Sequence, residues 1–277
     1  MAPVAGYGAS HPPLTPAKAG VQIFLPRMAQ RLGPRFRGDE RVVVAPPFTP
    51  PSSPRRIPRL HFRRMTAPIP WNYTRAETIA DGIVHALGIA LAVGGGALLI
   101  VIAAQYADVS QFAAVVVYLI GLKAMIGFSA AYNLWPLTPV KWWLRRFDHS
   151  AIYLLIAATY TAFALPMGGD APTAILIVQW VAATAGICLK LFFPGRFDRL
   201  AIAIYLAMGW SGLFVIGPFA AALAPVTLAL IVAGGILYSV GVIFHVWRSL
   251  RFHNAIWHGF VLSAALCHYG AVVTSVA

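Results

Sequence analysis

The sequence predicts an all-α membrane protein, a bundle of seven transmembrane helices with its N-terminus cytoplasmic and its C-terminus outside. Three observations predict it. Of 277 residues, 59% are hydrophobic and 10% charged, with a mean hydropathy of +0.74, where a soluble domain would carry about 25% charged residues. Apolar runs long enough to cross ~30 Å of hydrocarbon follow one another through the last two thirds of the chain. Basic residues gather in alternate loops between those runs. The formal charge of +13 does not point to a nucleic-acid partner, because the cations of the hydrophobic part lie in short loops and mark topology.

Residues 1–64 hold eleven basic residues against two acidic ones, in Pro- and Arg-rich strings such as PPFTPPSSPRRIPRLHFRR. They show no hydrophobic period and no apolar run that could seed a core or serve as a signal peptide. We expect a disordered basic extension. Composition changes at Met65, which we expect to be the natural start of a membrane domain covering residues 65–277.

The expected spans are 82–104, 112–132, 149–166, 173–193, 200–217, 226–245 and 255–276. Runs of this length lack the period-2 alternation of barrel strands, so their backbone groups must be satisfied within helices. The second-to-third loop carries Lys141, Arg145 and Arg146, the fourth-to-fifth Lys190, Arg196 and Arg199, and the sixth-to-seventh Arg248 and Arg251. The three alternate loops carry no basic residue. The positive-inside rule therefore places the basic loops of this multi-pass membrane protein in the cytoplasm.

Ionisable groups inside a bilayer cost about 2.5–3.5 kcal/mol each, which makes each a functional candidate. Glu77, Asp81 and His85 recur every four residues and form a column on the first helix. Ser129 and Asn133 are an i, i+4 pair at the end of the second, and Asn254 and His258 another at the start of the seventh. Asp148 and His149 open the expected third span, where Asp148 would equally serve as a helix cap. These four groups share one depth. Lys123 and His268 lie deeper and are expected to face the bundle interior.

The strings SAAYNLWP at 129–136, RRFDHSAIYLLIAATYT at 145–161, GGILYSVGVIFH at 234–245 and NAIWHGFVLSAALCHYGAV at 254–272 resemble the hemolysin III family. That family is grouped with the progestin and adipoQ receptors, the adiponectin receptors among them. The resemblance spans residues 70–277 and implies seven helices and a zinc ion near the cytoplasmic leaflet. In the family pattern the ion is held by the histidine of Ser-x-x-x-His on the second helix and both histidines of His-x-x-x-His on the seventh. An aspartate on the third helix bonds a zinc-bound water. Here Ser129 matches the serine, Asp148 the aspartate and His258 the last histidine, but Asn133 and Asn254 stand where the other two histidines belong.

A catalytic zinc site uses three imidazole, thiolate or carboxylate ligands and keeps one position open, whereas an amide oxygen is neutral and suits harder cations. On these residues we expect a degenerate metal site with His258 as its one remaining family ligand, and the asparagines argue against the zinc that the resemblance implies. Asp81 and His85, at similar depth, are the candidates to take over. The expected function is that of a non-catalytic family member with a lipid-sensing or channel-like role. The alternative is a zinc-dependent membrane hydrolase acting on a lipid amide through Ser129, Asp148 and His258. The family name reflects a lytic activity, cytolysis, ascribed to some members, yet helices with so few polar residues are expected to pack rather than enclose a pore. The expected partners are the lipid bilayer and a lipid ligand.

Overall fold

The structure, a computed structural model, describes residues 73–277. The 1–64 extension and Met65 lie outside the described residues. Within them, seven helices are long and apolar enough to cross a membrane: α1 Arg75–Tyr106, α2 Val109–Leu134, α3 Pro139–Met167, α4 Asp170–Phe192, α5 Asp198–Ala222, α6 Pro225–Val246 and α7 His253–Val276. Apolar side chains such as Val93, Leu98, Val101, Val181 and Phe214 face outward, as they must where the surrounding solvent is hydrocarbon.

The helix starts follow from short polar signals. Thr74 and Glu77 form a capping box: the Glu77 amide donates to Thr74 Oγ1 at 3.3 Å and the Thr74 amide to Glu77 Oε2 at 2.8 Å. Asp108 and Gln111 repeat it ahead of α2. Each box satisfies amides that the first helical turn leaves without partners. Pro139 and Pro225 open α3 and α6, where a residue without an amide hydrogen costs nothing. Gly168 and Gly169, at φ +61° and +78°, make the tight turn between α3 and α4.

Several spans begin before the apolar run does. α1 starts at Arg75 rather than 82, since its first two turns are polar but well capped. α3 starts at Pro139 rather than 149, so Lys141, Arg145 and Arg146 lie on a helix and not in a loop. Asp148 is therefore nine residues inside α3 and caps nothing; the cap position is Thr138.

α3 is the most enclosed span, with Tyr153, Ala157, Ala158 and Phe163 all buried. Small residues let its neighbours approach: a Cβ at Gly121 of α2 would come within 2.7 Å of the Ala158 methyl. In lipid, where apolar burial gives no drive, such close packing holds helices together. His268 is half-buried and turned inward as expected, its ring seated against Gly234 of α6 and its Nε2 3.2 Å from the Ile231 carbonyl, to which it donates. Lys123 departs from expectation. It is exposed on the outer side of α2, with its stem beside Gly96 of α1. The helical period turns it off the arc carrying Tyr118, Leu122, Met125 and Ser129.

Side-chain bonds gather one end of the bundle. Glu77 Oε1 accepts from the Phe252 amide at 3.1 Å, tying the start of α1 to the start of α7. Lys141 Nζ donates to the carbonyls of Asn133 and Trp135 at the end of α2. Asp198 accepts from Arg145 at 3.0 Å and from Lys190 at 2.7 Å, joining α3, α4 and α5. The polar residues singled out in the sequence converge near this end.

Candidate metal centre

The centre is built outward from Asp81, six residues or roughly 9 Å along α1 from its start. Asp81 and His85 are both 5% exposed, and their i, i+4 spacing stacks them on one face. His85 Nδ1 donates to the Asp81 carbonyl at 2.8 Å. That bond fixes the tautomer and leaves the Nε2 lone pair directed away from α1's backbone, 3.3 Å from Ser129 Oγ. From α7, His258 Nδ1 donates to Asp81 Oδ1 at 2.5 Å. The two imidazoles meet edge to face with centroids 4.5 Å apart.

Asp81 Oδ2 accepts from Asn254 Nδ2 at 3.1 Å. The same Nδ2 donates to Asn133 Oδ1 at 3.2 Å, and Asn133 Nδ2 donates in turn to the Ser129 carbonyl at 2.9 Å. A buried carboxylate without partners would cost several kcal/mol, and this one has a partner on each oxygen. The Asp148 carboxylate, 14% exposed, faces the Ser129 hydroxyl and the His258 ring from α3. Four helices thus supply one polar centre, as the shared depth of these residues implies.

Ligand-capable atoms of Asp81, His85 and His258 all lie within 4.8 Å of one another, and this is the one such group of three among the described residues. Ligand atoms on one tetrahedral ion stand roughly 3.3 Å apart given zinc bonds near 2.0–2.2 Å. Side-chain shifts of about an ångström would close the set. Two imidazoles and a carboxylate, with a fourth position open, are a donor set of catalytic zinc.

The profile of the haemolysin-III related family matches residues 73–269. The chain belongs to that family. It is 37% identical over 204 residues to the "Hemolysin-3 homolog" of Bacillus subtilis (strain 168), covering 73% of this chain and 95% of that protein. It is likewise 37% identical over 198 residues to "Hemolysin-3" of Bacillus cereus, covering 71% and 90%. The human "Monocyte to macrophage differentiation factor" is 28% identical over 165 residues, 56% of this chain and 67% of that one. With bacterial relatives and seven spans, this haemolysin-III related protein is a multi-pass protein of the bacterial inner membrane.

The membership corrects nothing about the family expected, but the structure overturns the degenerate site. The expectation counted ligands only where the family pattern places them, and found Asn133 and Asn254 in two of those positions. Asp81 and His85 face the same space from α1 and, with His258, complete a set of three. The argument for a non-catalytic protein with lipid-sensing or channel-like work, and against zinc, falls with it. The asparagines are not empty ligand positions either, since both are hydrogen-bonded into the carboxylate network. Sequence reasoning underused one signal. Asp-x-x-x-His at 81–85 has the same helical spacing as Asn-x-x-x-His at 254–258, and both begin within two turns of a helix start.

Proposed function

We propose that this protein is a zinc-dependent membrane hydrolase acting on a lipid amide. The observation that carries the reading is the convergence of Asp81, His85 and His258 at one depth, with a second carboxylate, Asp148, beside them. Asp81, His85 and His258 would hold the ion. When bound, zinc supplies Lewis acidity to water and to a carbonyl oxygen.

The chain's own residues do the rest. Asp148 is placed to take a proton from water at a carboxylate oxygen as the new C–O bond forms at the amide carbon. It then returns that proton to the nitrogen as the C–N bond breaks. With His85 Nε2 given to the ion, the Ser129 hydroxyl would be free to donate to the Asp148 carboxylate beside it. His85, anchored by its bond to the Asp81 carbonyl, keeps a fixed ring. The centre lies one to three turns inside the basic end of the bundle, which suits a substrate whose polar group sits at the leaflet boundary and whose chains stay in hydrocarbon. Eight basic residues near that end support its placement on the cytoplasmic side, with the C-terminus outside.

The test is metal content together with turnover. Full-length protein purified in detergent should hold stoichiometric zinc and release fatty acid from an N-acyl lipid amide in mixed micelles. Asp81→Ala, His85→Ala and His258→Ala should each lose the zinc and the release together. Parental zinc content in all three variants would refute the site.

A further inference from the structure

Two carboxamides, Asn133 and Asn254, lie between the metal-ligand group and a small polar pocket at the basic end of the bundle. The pocket is lined by Tyr73, Glu77, Asp81, Lys141, Asn133 and Asn254 among others. The amides form a directed chain. Asn133 spends its two N–H groups on the Ser129 carbonyl and hydroxyl, at 2.9 and 3.4 Å, and therefore presents its oxygen toward α7. Asn254 must then turn its NH2 toward both Asn133 Oδ1 and Asp81 Oδ2, at 3.2 and 3.1 Å. The reverse orientation would set an amide oxygen against a carboxylate oxygen, so donor and acceptor chemistry alone fixes the direction.

This chain has a consequence for Asp81. A carboxylate on a helix can swing between neighbours, but here Oδ2 is held by Asn254 and only Oδ1 is left facing the histidines, where it meets His258. An imidazole at 254 could donate once; the carboxamide donates twice and bridges two helices to the carboxylate. We infer that Asn133 and Asn254 are positioning residues whose amide chain, anchored on Ser129, orients Asp81 so that one of its oxygens is presented as a metal ligand. On this account the asparagines and the first-helix carboxylate belong together. A site that draws its anionic ligand from α1 needs donors on α2 and α7 to aim it, and ligands of this kind lose about 10- to 100-fold in metal affinity when such a partner is removed. The inference rests on the metal centre proposed above.

The experiment uses full-length protein in detergent, stripped of metal, with zinc affinity measured by competition against a chromophoric chelator and the site's geometry read from the cobalt(II) absorption spectrum. Asn254→Ala and the volume-conserving Asn254→Leu are each expected to weaken zinc 10- to 100-fold and to change the cobalt spectrum, with the melting temperature of the metal-free protein preserved in at least one of them. Asn133→Ala should act in the same direction with a smaller loss. In an Asp81→Ala background, titrated at raised zinc to reach the weak binding left to the two histidines, Asn254→Ala should cause no further loss, because an effect relayed through Asp81 vanishes when Asp81 is gone. A folded Asn254 variant with parental affinity and spectrum, or an undiminished Asn254 effect in the Asp81→Ala background, overturns the inference while leaving the centre standing. Zinc retained at parental affinity by both Asp81→Ala and His258→Ala instead removes the centre on which it rests.

Discussion

Asp81→Asn keeps the shape of the side chain and removes its charge, so it separates ligation from packing. In the native protein both carboxylate oxygens face donors, Asn254 Nδ2 on one side and His258 Nδ1 on the other. A carboxamide can present an oxygen to only one of them. The other side then opposes two donors, unless His258 moves its proton to Nε2. A buried group left unmatched costs about 1–3 kcal/mol, which the metal-free variant should show as a lower melting temperature. The zinc effect is separate and larger. If the variant binds zinc a hundredfold more weakly, then at a free zinc concentration of 100 times the parental Kd the parent gains about 2.7 kcal/mol from binding and the variant about 0.4 kcal/mol. The lost difference, about 2.3 kcal/mol, corresponds to roughly 5–9 °C of zinc-dependent rise in melting temperature for a domain near 200 residues. The assay is a thermal melt of each protein with and without zinc at that fixed concentration, so that the packing cost cancels within each pair. A zinc-dependent rise in Asp81→Asn equal to the parent's would refute the assignment of Asp81 as a ligand.

Three further outcomes are expected. Asp148→Asn should lower amide hydrolysis about 10²–10⁴-fold, the usual contribution of a general base, and leave zinc content at one ion per chain, checked by turnover and metal analysis on the same sample. Gly234→Val should push against the His268 ring and destabilise the α6–α7 pair by about 1–3 kcal/mol, the usual cost of overpacking, read as a lower melting temperature in detergent. Lys123→Leu should change neither zinc content nor hydrolysis, because Lys123 lies on the outer side of α2 away from the centre. Loss of either would show that the lysine reaches the site.

The seven helices were legible because the bilayer imposes a length and a polarity that composition alone reveals, and the loop cations marked which ends lie together. The helix starts were less legible. Hydropathy registers where a run becomes apolar, whereas a helix begins where its amides find caps, and Thr74 with Glu77 and Asp108 with Gln111 place those starts outside the apolar windows. The shift at α3 mattered most. Reading Asp148 at a helix start left open that it was a cap, and the actual start at Pro139 frees it for the centre. Periodicity told that Glu77, Asp81 and His85 share a face but not which way that face turns, since a helix in lipid can direct polar groups only inward or toward its ends, and both directions were open for the first two turns of α1.

The direction is settled by contacts that no single helix encodes. Glu77 bonds the Phe252 amide and Asn254 bonds Asp81, so the start of α7 is attached to α1 at two levels four residues apart. Two attachments on successive turns of one face fix rotation as well as distance, and rotation is what brings His85, on the third turn of the same column, opposite His258. Each of these bonds narrows the range through which α1 can turn about its axis, and at 100° per residue a slip of one residue would carry His85 away from its partner. Phe252 holds a left-handed conformation at φ +62° directly before α7, a strained state for a bulky residue. That backbone aims its amide at Glu77, so the strain at the helix start and the alignment of the ligands are parts of one arrangement. Changes at Glu77 should therefore act on the centre from a distance of one to two helical turns, through the angle at which α1 presents its ligand face.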